Sequence, residues 1–182
     1  MSQERSPYPV YAKVIHLGLA VFGILAFLTG ELAEDGNASL GYLLHAYLGL
    51  SLATFVAVRL VGGLTPDRSL SFKTWAPLSR TQLLLALEDF RTLLTLKVPD
   101  RGMHEGLAGI TQAFGLAVFS LMAVTGTGLY FLPGARSGLY AVIEETHEVG
   151  ESLIPLYLFL HIGAVVLHNL SGNPNWKRIF NF

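Results

Sequence analysis

Apolar residues are gathered into four long blocks, roughly 10–30, 39–60, 107–132 and 139–170, with polar links between them. A hydrocarbon core of about 30 Å takes about 20 mainly apolar residues in a helix. Each block therefore predicts a membrane-spanning helix, which satisfies its own backbone hydrogen bonds as lipid requires. The start of the fourth block is polar enough to stand out of the bilayer. Residues 61–106 are too many for a plain connection. Within them, "SRTQLLLALEDFRTLLTLKV" sets Leu84, Leu87, Arg91 and Leu94 at helical spacing with charges interleaved. That predicts an amphipathic helix near 79–98, lying on the membrane surface or packed as a lid across the bundle ends. The predicted fold is all-α: one domain over 1–182, a transmembrane four-helix bundle.

Charge gives the bundle a direction. The link "ELAEDGNA" has three acids and no Lys or Arg, and the link before the fourth span carries one basic residue, Arg136. The other eleven of twelve basic residues lie in the N-terminus, the middle loop, the C-terminus or the span ends beside them. By the positive-inside rule, both termini and the middle loop are expected on the cytoplasmic side of a bacterial inner membrane. The first block is too long for a signal-peptide core and no A-x-A-like site follows, so it reads as a retained anchor. The near-neutral net charge of −1 offers no footprint for nucleic acid. With no cysteine, disulfides, CxxC motifs, zinc thiolate sites and covalent haem attachment through CxxCH are excluded.

Histidines are costly in lipid, and this chain has six. His16 falls about two turns into the first span, near the cytoplasmic side. His45 falls about two turns into the second, near the opposite side. His147 enters level with His45, and His161, 14 residues on, is about 21 Å deeper, level with His16. Fourteen residues at about 100° each return to nearly the same helix face. Two facing pairs result, His16 with His161 and His45 with His147. Each pair suits one flat apolar disc, haem b, bound by two axial imidazoles, so two haem b groups are expected between the helices. His168 competes with His161, being on the same face. It lies about 31 Å from His147, the whole membrane, so His161 fits the levels better. His168 and His104 remain open between hydrogen bonding inside the bundle and contact with a quinone or a haem propionate. Lys13, Arg59, Lys177 and Arg178 at the inner side, and Arg136 at the outer, could neutralise propionates or serve as positive-inside anchors. Glu144 and Glu148 flank His147 and are either acceptors for its ring or solvated acids.

With these spans and histidines in view, the chain resembles the prokaryotic cytochrome b561 family and the related b-type cytochrome subunits of membrane-bound nickel–iron hydrogenases. The likeness covers nearly the whole chain. It rests on "KVIHLGLA", "LLHAYLG", "MHEGLAGITQ", "AVTGTGLYF", "THEVG" with "LFLHIGAVVLHNL", and "NWKRIF". The resemblance implies a four-helix dihaem electron-transfer protein in which His16 and His161 ligate the inner haem and His45 and His147 the outer.

The function read from this is transmembrane electron transfer, with the chain as an electron-transfer subunit of an oxidoreductase. In one variant it is the quinone-linked membrane subunit of a larger redox complex. Its partners would be lipid, quinone or quinol, and a redox protein such as a c-type cytochrome or a dehydrogenase subunit. The quinone would sit near His168, Lys13 and the middle loop. In another it is a stand-alone quinone oxidoreductase of the compact type. A haem-free anchor or proton relay is the rival from another class. It needs a buried acid in mid-membrane, where the deep polar residues are instead Thr54, Gln112, Ser120 and Thr125.

Overall fold

A computed structural model describes residues 8–35, 39–99, 101, 105–132, 138–173 and 176–180. Among these there is no strand. Four helices are long and apolar enough to cross a membrane: α1 (Val10–Leu28), α2 (Leu40–Leu64), α5 (Leu107–Phe131) and α6 (Gly138–Leu170). Three shorter helices lie among the described residues: α3 (Phe72–Trp75), α4 (Arg80–Leu94) and α7 (Lys177–Phe180). The link from α1 to α2 holds a 3₁₀ turn, Glu31–Asp35.

Side chains set several boundaries. Ser39 and Ser79 cap α2 and α4, their hydroxyls accepting from the N–H of Tyr42 at 3.0 Å and of Gln82 at 3.2 Å, a common way to satisfy first-turn donors. The second span runs to Leu64 rather than ending near Leu60, because Arg59 does not mark a water boundary. Its side chain is buried. It donates from Nη1 to the Leu70 carbonyl at 2.8 Å and lies 5.5 Å from the Phe72 ring centre and 5.2 Å from that of Trp75. This cation–π clamp folds the start of the middle loop back onto α2.

The long helices pack in the order α1 on α2, α2 on α5 and α5 on α6; the backbones of α6 and of α1 and α2 approach each other only sparsely. The core is Leu52 and Val56 from α2 with Phe119 and Ala123 from α5, flanked by Leu19 and Phe22 of α1 and Tyr157 of α6. Much of the rest of the apolar surface, including Phe159, Ile162 and Val166 on α6, points outward, as expected of a bundle solvated by lipid tails.

α4 is strapped to the start of α5. Asp89, buried, accepts from the Leu107 N–H at 3.0 Å, and Gln82 Oε1 accepts from the Gly106 N–H at 3.2 Å. Arg101 bonds Asp89 through Nε and Glu88 through Nη2 at 2.8 Å. Gly106 has φ 63° and sits directly against the Asp89 carboxylate, so both its conformation and its lack of a side chain are required there. Ala86 and Asp89 face the bundle while Leu83, Leu87, Phe90 and Leu94 form an exposed stripe beside them. The middle-loop helix thus has one face packed on the bundle and one apolar and open.

Candidate functional site

His16 and His161 face each other with ring centroids 6.2 Å apart. His45 and His147 do the same at 6.3 Å. A metal–imidazole nitrogen bond is about 2 Å long. Two imidazoles in line across one ion, each ring extending beyond its nitrogen, place the centroids roughly 6 Å apart. Both pairs bridge the side of the bundle where α6 stands off from α1 and α2. Beside His45, one turn along α2, a methyl built on Gly49 would meet nothing within 4 Å. Ring spacing and open flank both fit a flat macrocycle gripped by two imidazoles. The core residues Leu52, Phe119 and Tyr157 lie between the levels of the two pairs along their helices.

The rings are held differently. His45 Nδ1 is 3.0 Å from the carbonyl of Ala26. That oxygen is in the last turn of α1, where it also accepts from the Thr29 N–H at 3.2 Å and the Thr29 hydroxyl at 3.1 Å. His147 Nδ1 is 2.8 Å from Thr125 Oγ1, and Gly126 lets the ring close on α5: a Cβ there would lie 3.1 Å from His147 Cε1. Glu144 and Glu148 are exposed; the partner of the His147 ring is a threonine on another helix, not an acid on its own. At the other end His161 stacks on Tyr157, with centroids 5.5 Å apart and planes at 23°. Tyr157 in turn packs edge-on against Phe119 and Phe114 over the bare backbone of Gly115. His16 Nδ1 is buried without a hydrogen-bond partner.

The family model for prokaryotic cytochrome b561 matches residues 7–182. The chain belongs to the prokaryotic cytochrome b561 family. It is accordingly a multi-pass bacterial membrane protein, a b-type cytochrome that carries electrons. No curated protein and no solved structure matches it.

The remaining candidates of this cytochrome take other places. His168 meets the Ala164 carbonyl through Nδ1 at 2.8 Å and the Pro99 carbonyl through Nε2 at 3.2 Å. Both ring nitrogens therefore face oxygen, and the residue ties α6 to the middle loop. Lys13 is buried near the start of α1. Arg59 is engaged with Leu70, Phe72 and Trp75. Lys177 and Arg178 lie in α7, with Arg178 over the Tyr8 ring at 4.8 Å. His104 and Arg136 lie outside the described residues. Three contributors carry no sequence signal of their own: Ala26, Thr125 and Tyr157. Tyr157 is one turn before His161, a spacing that lets side chains meet, but aromatics are common in such helices. Thr125 is one of several deep polar residues and nothing in its neighbourhood points to His147.

Proposed function

We propose that the cytochrome moves electrons across the membrane between two haem b sites, one held by His16 and His161 and the other by His45 and His147. The observation that carries this is the pair of facing imidazole couples at 6.2 and 6.3 Å on helices whose histidines differ in level. Haem b supplies the one-electron couple. His16 with His161 and His45 with His147 would each hold one haem iron between two imidazoles, an arrangement that would favour electron passage over binding of oxygen or substrate. The apolar bundle keeps water from the rings, and Tyr157 and Thr125 fix two of the four ring orientations.

In this reading the termini and the middle loop are cytoplasmic, the His16–His161 pair is inner and the His45–His147 pair outer. α4 rests on the inner leaflet with Leu83, Leu87, Phe90 and Leu94 toward lipid and with the basic residues Arg80, Arg91 and Lys97 exposed for headgroups. The chain serves as the quinone-linked membrane subunit of a redox complex, exchanging electrons with quinone at the inner face and with a redox protein at the acidic outer face. The deciding experiment is a haem count per chain with reduced-minus-oxidised spectra on the purified protein. Two b-type haems are expected. A folded protein without haem would return the chain to a structural or anchoring role.

A further inference from the structure

The two pairs differ in what the Nδ1 atoms of their rings meet. Thr125 has one proton and donates it to the Leu121 carbonyl at 2.7 Å. Toward His147 its oxygen must therefore accept, so His147 Nδ1–H is the donor. The Ala26 carbonyl can only accept, so His45 Nδ1–H is the donor there too. In both rings this leaves the lone pair on Nε2, the nitrogen needed for a metal. An acceptor on the far N–H also makes an imidazole a more basic ligand, which stabilises ferric over ferrous iron. The His16–His161 pair lacks this support at His16, whose Nδ1 is orphaned, and holds His161 by stacking instead. Fixed charge acts in the same sense. Glu144, Glu148 and Glu151 share the end of α6 that bears His147, and Lys13 and Arg59 lie at the end of the bundle that bears His16.

We propose that Thr125 is a positioning residue that sets the potential of one site. By accepting from His147, and together with the Ala26 carbonyl, it holds the His45–His147 site at a lower reduction potential than the His16–His161 site. An electron on the chain then rests mainly at the His16–His161 site. In the exchange the first site is oxidised by one electron and the second reduced by one; no bond breaks and no proton moves. The inference rests on the two-haem reading above.

The test is a spectrally monitored redox titration of the haem-loaded protein, wild type against Thr125→Val and Thr125→Ser. Valine keeps the shape and removes the acceptor; serine keeps the hydroxyl. In wild type two components of unequal potential are expected. Thr125→Val should keep both haems and move only the lower component upward, by about tenfold in its one-electron equilibrium, which is 59 mV. Thr125→Ser should titrate as wild type. The same variants in a His16→Ala background assign the component, because only the His45–His147 site remains, and the valine shift should persist there. Two intact haems with an unmoved lower component in Thr125→Val would overturn the proposal while leaving the two-haem reading in place. So would a shift that falls on the higher component. Absence of haem from folded wild type would instead remove the reading on which the proposal stands.

Discussion

The two ends of the bundle present the same ring spacing in unlike surroundings. The His45–His147 rings are pinned through their nitrogens, by the Ala26 carbonyl in the last turn of α1 and by a threonine on α5. The His16–His161 end relies on apolar contact, a stack on Tyr157 that is itself wedged over Gly115. A hydrogen bond fixes which nitrogen carries the proton; a stack fixes only the plane of the ring. One end is therefore specified in orientation and electronics, the other mainly in shape.

The largest expected effect removes a ligand from one end at a time. His45→Ala or His147→Ala should each abolish one b-type haem and spare the other, and His16→Ala or His161→Ala should abolish the complementary one. Quantified haem and the α-band of the reduced spectrum check this. Loss of both haems from every variant would mean the ends are not independent. His168→Ala should retain both, since both its nitrogens face carbonyls; a variant short of one haem would make it a ligand.

Next in size is a change in packing. Gly115→Ala places a methyl into the Tyr157 ring, whereas Gly126→Ala meets only the edge of His147 at 3.1 Å. Overpacking a tight contact costs about 1–3 kcal/mol. Gly115→Ala should therefore lower the thermal midpoint more than Gly126→Ala, and should disturb the haem at the stacked end. Equal effects of the two would show that the Tyr157 ring gives way to the added methyl as easily as the His147 edge does. Tyr157→Phe keeps the stack and should leave both haems, while Tyr157→Leu should weaken retention at the His16–His161 end alone.

A third variant acts away from both ends. Asp89→Ala removes the acceptor that caps α5 and leaves Arg101 without its closer partner. Loss of a capping acceptor costs about 0.5–2 kcal/mol. A lower thermal midpoint with both haems and both potentials unchanged is expected. A shifted potential would show that the strap reaches the redox sites.

These contrasts also mark what the chain reveals before it is folded. The span pattern and the 14-residue interval from His147 to His161 suffice to pair the histidines, because helix rise and rotation are nearly invariant. The supports for the rings are not legible in that way. Ala26 acts through its carbonyl, so its side chain carries no message. Thr125 reaches His147 across two helices whose contact no local spacing encodes. Arg59 misleads, since a cation near the end of an apolar run reads as a boundary, yet Leu70, Phe72 and Trp75 keep it buried. The middle-loop helix shows its apolar stripe plainly. Its attachment through Asp89 and Gly106 depends on a left-handed glycine whose partner lies 17 residues away in the chain.

The smallest expected effect sharpens the comparison from the His16 side. The hydroxyl of Tyr11, in the first turn of α1, donates to Asp67 in the middle loop. The Ser69 N–H donates to the same carboxylate at 2.8 Å. These two donors, the tyrosine foremost, hold Asp67 below its ordinary value of 3.8. A depressed carboxylate contributes stability that is fully present above the ordinary value and is lost as pH falls through the folded one. The group is open to solvent, so the contribution is small. Tyr11→Phe should therefore melt slightly below wild type at about pH 7, and the gap should close as pH falls through the depressed value of Asp67, below which the carboxylate is protonated in either protein. Because the tie joins α1 to the loop near His16, any spectral change should fall on the His16–His161 haem. A gap that persists unchanged in acid would mean that Tyr11 acts by packing rather than through Asp67. A change confined to the His45–His147 haem would mean that the two ends communicate through α1, whose last turn holds His45.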